Sequence, residues 1–149
     1  LHEAADLSYQ QLILKKALVG TPIKDCMITN VITVPSNITI DKLVSDFFIK
    51  YRHMGFPVVD DGILKGIVTM HNVKEIPNDQ WKTTTVDKVL TPARKDLIVC
   101  PDSDALESLL LVTKSGLGKL LVVDKGRLLG IVGQRDLLKL FEIKSSLCV

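Results

Sequence analysis

One stretch occurs twice in this 149-residue chain, and it limits the possible folds more than any other feature. The first copy runs Asp60-Asp61-Gly62-Ile63-Leu64-Lys65-Gly66-Ile67-Val68-Thr69-Met70-His71-Asn72. The second runs Asp124-Lys125-Gly126-Arg127-Leu128-Leu129-Gly130-Ile131-Val132-Gly133-Gln134-Arg135-Asp136. Each reads as a turn, an apolar strand, and a strand-to-helix junction with polar side chains at its mouth. Gly62 and Gly126 suit a tight hairpin turn. Gly66 and Gly130 lie inside the strands, which predicts a bend or a close backbone approach. Thr69 is placed to cap the helix that follows, with Asn72 three residues on. The free N–H groups of a helix N-terminus attract phosphate. The two junctions are therefore the candidate functional sites.

The remaining elements repeat in the same order. A helix is expected over Asp6–Leu18, ended by Gly20 and Pro22. Then come a short turn over Ile23–Met27 and a β-branched strand over Val31–Val34, closed by Pro35. A long helix over Thr39–Tyr51 shows its apolar face as Ile40, Leu43, Val44, Phe47, Phe48 and Tyr51, with Asp41 in its first turn. Strands are expected over Phe56–Val59 and Ile63–Val68, then a helix over Met70–Ile76 stopped by Pro77. Asn78–Thr85 is a polar link whose lone Trp81 reads as a lid packed on the core. In the second half, Val86–Leu90 matches the first turn and Leu97–Cys100 the first strand. A helix over Asp104–Lys114 has a capping-box-like start at Asp104 and Glu107, an inner face of Leu106, Leu109, Leu110 and Thr113, and a stop at Gly116. Strands over Lys119–Val123 and Leu128–Val132 and a helix over Gln134–Ile143 close the chain. A period of roughly 64 residues is too long for a solenoid unit. Two half-domains, packed face to face, are expected instead.

Composition removes several function classes. With 46% hydrophobic residues the chain can build an interior, so disorder is excluded. A net charge of +2 lacks the concentrated basic stripe of a nucleic-acid surface but suits a small phosphate-bearing ligand. Cys26, Cys100 and Cys148 form no CxxC pair, which argues against zinc. Cys26 and Cys100 read as small buried hydrophobes in a reducing, cytosolic compartment, so the sequon Asn37-Ile38-Thr39 reads as chance. No run of about 18 apolar residues is present, so no membrane span is expected. The chain starts at Leu1 without a methionine, as a piece of something longer would. His2, His53 and His71 are scattered without metal-ligand spacing, and no nucleophile–base pair is legible. Gly116-Leu117-Gly118 precedes a strand, the wrong context for a dinucleotide loop.

The duplicated β-α-β-β-α unit closely resembles a cystathionine-β-synthase (CBS) domain pair, or Bateman module. The residues that carry this resemblance are Pro57-Val58-Val59-Asp60 with Gly66-Ile67-Val68-Thr69 and Asn72. Their second-half counterparts are Val122-Val123-Asp124 with Gly130-Ile131-Val132 and Asp136. It implies an α/β (α+β) fold of two repeats related by pseudo-two-fold symmetry, with an N-terminal helix. The divisions expected are a connector helix over 1–20, repeat 1 over 21–77, a linker over 78–85, repeat 2 over 86–144 and a tail over 145–149. It further implies an adenine nucleotide (AMP or ATP) or S-adenosylmethionine as ligand in the cleft between the repeats, with no cofactor required.

Carried over by position, the first site would use Thr69 and Asn72, with Thr33 near the base and Pro57 beside it. The second would use Asp136, with Ile98 and Val99 near the base and Arg135 reaching a phosphate. His53 and His71 would be helpers. Two departures stand out: Asn72 replaces the acid of the first site, and Gly133 replaces the hydroxyl residue of the second. Ser8-Tyr9-Gln10-Gln11, the run from Tyr51 to Gly62, and Gln80-Trp81-Lys82-Thr83-Thr84-Thr85-Val86 resemble the CBS region of site-2-protease-like zinc metalloproteases. The HExxH motif of those proteases is absent from this chain.

The expected function is therefore a non-catalytic regulatory module. It would bind an adenine nucleotide, pair as a homodimer through its CBS repeats, and modulate an attached protease domain of a membrane protein from the cytoplasmic side, without contacting nucleic acid. The alternative is a ligand-free structural dimerisation module in which Thr69, Asn72 and Asp136 only cap helices.

Overall fold

The computed structural model describes Tyr9, residues 18–116 and residues 118–149. Apart from Tyr9 and Leu18, the helix expected over Asp6–Leu18 lies outside the described residues. The fold is mixed α/β, and its described residues divide into two compact units, one of Asn30–Lys95 with Lys125–Leu128, the other of residues 18–29, 96–116, 118–124 and 129–149.

In the first of these, α1 opens as an α-helix over Ile40–Leu43 and continues as a π-helix over Val44–Ile49. Its buried side chains are Ile40, Leu43 and Phe48. The step from Leu43 to Phe48 is five residues, and the wider π-turn brings Phe48 onto the buried face. Strands β1 (Gly55–Asp60) and β2 (Ile63–Thr69) form an antiparallel hairpin. Its turn residues Asp61 (φ 53) and Gly62 (φ 82) are both left-handed, the conformation that a two-residue turn needs to match strand twist. Helix α2 (Met70–Lys74) follows, and β3 (Thr91–Pro92) pairs antiparallel with β2. Phe56 and Val58 on β1 and Val68 on β2 are buried with Val73 and Val86 to complete this core. Phe48 and Phe56 meet edge to face at 5.2 Å, the arrangement favoured by ring quadrupoles. Trp81 packs against the same core and its indole N–H donates to the Ile76 carbonyl at 3.0 Å, as expected of a lid.

The strand expected over Val31–Val34 shrinks to a single parallel bridge between Val34 and Val58. The Val34 N–H donates to the Pro57 carbonyl and the Val59 N–H to the Val34 carbonyl. The next rung would need an N–H from residue 57. Proline has none, so the ladder stops at Val34.

In the other unit, β4 (Ile98–Val99) runs parallel to β5 (Lys119–Asp124), with Ile98 opposite Leu121 and Val99 opposite Val122. Helix α3 (Ala105–Ser115) begins at Asp104, whose carboxylate accepts from the Leu106 and Glu107 N–H groups, and ends at Gly116 with φ 75. The buried face of α3 is Ala105, Ser108, Leu109 and Val112, one residue round from the expected one. Leu110 is 57% exposed. Thr113 also faces out and turns its hydroxyl onto the Leu109 carbonyl at 2.8 Å. Counting leucines alone hid this, because Ala105 and Ser108 are small enough to sit against the sheet. Strand β6 (Arg127–Gly133) leads into α4 (Gln134–Leu147), a turn longer than its apolar pattern predicts. The core here joins Leu18 and Ile23 to Val99, Leu109, Leu120, Val122, Val132 and Leu137.

Each unit recruits the leading segment of the opposite sequence repeat. Ile28 bridges to Ile131, while Ile23 and Lys24 donate their N–H groups to the Ser103 and Pro101 carbonyls. Likewise Val86 and Asp87 donate to the Ile38 and Ser36 carbonyls, and Thr91–Pro92 pairs with β2. The strand glycines make this possible. A Cβ on Gly66 would lie 2.2 Å from the Thr91 carbonyl oxygen, and one on Gly130 would lie 2.7 Å from that of Ile28. The close backbone approach expected at both positions is therefore the crossing of these segments.

Candidate functional site

At the junction of β2 and α2, Thr69 and Asn72 form a reciprocal cap. The Asn72 Oδ1 accepts from the Thr69 N–H at 2.8 Å and from its hydroxyl at 3.0 Å, and the Asn72 N–H donates to the Thr69 Oγ1 at 3.5 Å. The Asn72 amide nitrogen donates to the Thr91 hydroxyl at 3.3 Å. Both acceptor positions of the Asn72 oxygen are thus used internally, leaving one amide hydrogen for anything else. Thr91 is a junction residue that sequence reading missed. The signal was its distance from Gly66 along the chain, which matches no local motif.

At the junction of β6 and α4 the pattern is looser. The Gly133 N–H donates to the Asp136 Oδ2 at 2.9 Å. Glycine has no hydroxyl to return the bond, so the cap is one-sided. Ile28 occupies the place that Thr91 holds beside the other junction, and it is apolar. The second carboxylate oxygen of Asp136 keeps no hydrogen-bond partner among the described residues, and no buried side-chain nitrogen or oxygen there is left unsatisfied, so this oxygen faces water. Arg135 beside it is exposed.

The other expected residues fall as follows. Val34 places Thr33, half-buried, alongside Pro57, which is buried and paired across the hairpin with Ile67. Ile98 is half-buried and Val99 buried, both on β4. His53 stacks on Phe56 at 5.4 Å and the exposed His71 faces Glu75 at 3.2 Å. Cys26 is half-buried; burial raises its thiol pKa, and the Asp25 and Asp136 carboxylates add to this. Cys100, expected to be buried, is exposed because β4 ends at Val99 and the chain turns there, with the Cys100 N–H donating to the Ser103 hydroxyl at 2.9 Å. No group of three metal-ligating side chains occurs among the described residues, and no described helix is long and apolar enough to cross a membrane.

The signature of the CBS domain matches residues 23–78 and again residues 86–143. The chain belongs to the CBS domain family. A zinc metalloprotease of Methanocaldococcus jannaschii is 29% identical to this CBS pair over 120 residues, covering 80% of the chain and 32% of the relative. Rip3 of Mycobacterium tuberculosis, named as a candidate zinc metalloprotease, is 25% identical over 145 residues, covering 95% and 35%. The CBS pair thus spans about a third of the length of these relatives. Among solved structures, the CBS domain of a bacterial CNNM/CorC family Mg2+ transporter in complex with ATP superposes with a TM-score of 0.73 at 18% identity, covering 94% of this chain and 97% of that one. CBSX2 in complex with AMP gives 0.72 at 24% identity, covering 84% and 99%. Both likenesses establish the fold.

Proposed function

We propose that this CBS pair is a regulatory module that binds an adenine nucleotide, principally at the β6–α4 junction, and thereby biases an attached membrane zinc metalloprotease. The observation that carries the reading is the unengaged carboxylate oxygen of Asp136 at the start of a 14-residue helix. A carboxylate accepts both hydroxyls of a ribose diol in charge-assisted bonds. Arg135 supplies a cation for phosphate, and Ile98 and Val99 offer backbone edges and apolar surface to the base. At the other junction, Thr69 and Asn72, with Thr33 and Pro57, form a weaker counterpart, because the Asn72 oxygen is already occupied. The metalloprotease relatives support the attachment, and the ATP- and AMP-bound neighbours support the ligand class. Regulation then requires only that the nucleotide bind two arrangements of the full protein with different affinity.

A second reading, a homodimerisation module without ligand, draws on the exposed apolar residues Leu110 of α3 and Leu138, Ile143 and Leu147 of α4. Calorimetric titration of the 149-residue chain with ATP, AMP and S-adenosylmethionine separates the two. Saturable heat from at least one of them, abolished in Asp136→Ala with the melting curve still cooperative, supports the nucleotide module. Silence from all three at millimolar concentration leaves the dimerisation module.

A further inference from the structure

Building on nucleotide binding at the β6–α4 junction, we propose that Lys119 selects the phosphate chain there. It takes over from the hydroxyl that Gly133 lacks and turns the site toward nucleotides with two or more phosphates. The two junctions have exchanged which of two facing positions carries a side chain. Before α2, Thr69 stands opposite Gly55 across the hairpin, and a Cβ on Gly55 would lie 3.2 Å from the Thr69 methyl. Thr69 therefore fills that space and supplies a hydroxyl. Before α4 the order is reversed. The Met70 N–H donates to the Met54 carbonyl at 3.0 Å, and the Gln134 N–H to the Gly118 carbonyl at 2.9 Å. Lys119 thus holds the place of Gly55, and Gly133 that of Thr69. A Cβ on Gly133 would lie 3.8 Å from Lys119 Cγ. The lysine stem lies along the empty glycine position, and the flexible chain beyond it carries the ammonium.

The exchange alters charge as well as shape. The same Cβ position on Gly133 is 3.0 Å from the Asp136 Oδ2, yet Lys119 makes no ion pair with that carboxylate. Lys119 and Arg135 are both exposed, and neither has an ion-pair partner among the described residues. Asp136 alone would repel phosphates carried beside the ribose. Two unpaired cations next to it outweigh that repulsion. At the other junction, glycine stands in the place of Lys119, and the place of Arg135 is taken by His71, which faces Glu75 at 3.2 Å. Those two positions offer no unpaired cation there, only the neutral Thr69 hydroxyl beside them. Each charge-assisted bond gained by a longer phosphate chain at Lys119 is worth about twice a neutral one.

Calorimetric titration of the 149-residue chain with adenosine, AMP, ADP and ATP reads this selection. ATP should bind at least tenfold more tightly than AMP. Lys119→Gln should weaken ATP at least tenfold and AMP less than threefold, and should leave adenosine unchanged. Lys119→Arg should keep the preference for ATP. Lys119 is exposed, so both variants should melt as the parent chain does. Lys119→Gly combined with Gly133→Thr rebuilds the arrangement of Gly55 and Thr69, and it should keep AMP while losing the preference for ATP. An equal loss for all four ligands in Lys119→Gln, or a preference for ATP that survives the double variant, would overturn the role of Lys119 and leave nucleotide binding intact. Binding of none of the four by the parent chain would overturn both.

Discussion

Replacing Gly66 with alanine tests the crossing on which the first unit depends. The new Cβ would lie 2.2 Å from the Thr91 carbonyl oxygen and 2.8 Å from Leu90 Cδ1, where ordinary contact begins at 3.4 Å. The Leu90 methyl can rotate away. The Thr91 carbonyl cannot, because β3 is held to β2 by the pairs Gly66–Pro92 and Ile67–Thr91. Either β3 retreats by roughly 1 Å and weakens about two ladder bonds at about 1 kcal/mol each, or β2 absorbs an overpacking cost of about 1–3 kcal/mol. The entropic advantage of alanine over glycine in a strand returns about 0.5–1 kcal/mol. The expected net loss is about 1–2 kcal/mol, or a fall in Tm of roughly 2–8 °C for a chain of this size. Urea denaturation followed by circular dichroism measures it. Gly130→Ala is the internal comparison: its Cβ would meet the Ile28 carbonyl at 2.7 Å and the flexible Met27 Sδ at 2.9 Å, so it should lose less. A Gly66→Ala loss below about 1 kcal/mol, or the reverse ranking, would refute the account of why both strands carry glycine. Displacing β3 also moves Thr91 away from Asn72, so hydrogen exchange at the Asn72 side-chain amide should quicken in the same variant.

Three further outcomes follow from particular contacts. Leu109→Ala should cost about 2–5 kcal/mol, whereas Leu110→Ala, one residue away, should stay within about 0.5 kcal/mol in the monomer, both read from urea midpoints. The Asp60 carboxyl is held below the ordinary carboxylate range, first by the Ser36 hydroxyl and then by the Ser36 N–H. A depressed folded-state pKa stabilises the fold above the unfolded carboxylate value near ~4, and the contribution disappears as pH falls through the folded value. Asp60→Asn should therefore lower stability at pH 7 and flatten its decline toward pH 3, and parallel acid limbs for the two proteins would refute the assignment. Asn72→Asp keeps both Thr69 donors and places a negative charge at a helix N-terminus, so stability should rise by about 0.3–1 kcal/mol at low salt, measured by thermal melting with and without added sodium chloride.

What was legible in the sequence was whatever is encoded over a few neighbouring residues. The Asp-Gly and Lys-Gly turns, the Thr69 cap and the Asp104 helix start all depend on residues within three positions of one another, and each appears where its residue types require it. The harder features depend on partners far along the chain. Nothing near Val31 announces that its strand will fail; the cause is the missing N–H of Pro57, on the other side of α1. Nothing near Thr91 marks it as a junction residue, because Asn72 reaches it only after β3 has crossed Gly66. The α3 face was misread for a related reason: periodicity says which residues share a face, but the sheet decides whether that face needs leucine or room for alanine and serine. The two junctions show the same division. Sequence gives both the same frame, a strand glycine followed by a polar residue three positions into the helix. The crossing segment then supplies a hydroxyl to one and an isoleucine to the other. That difference leaves Asp136 with a free oxygen while both polar atoms of the Asn72 amide have partners, and it makes two sequence-equivalent junctions chemically unequal.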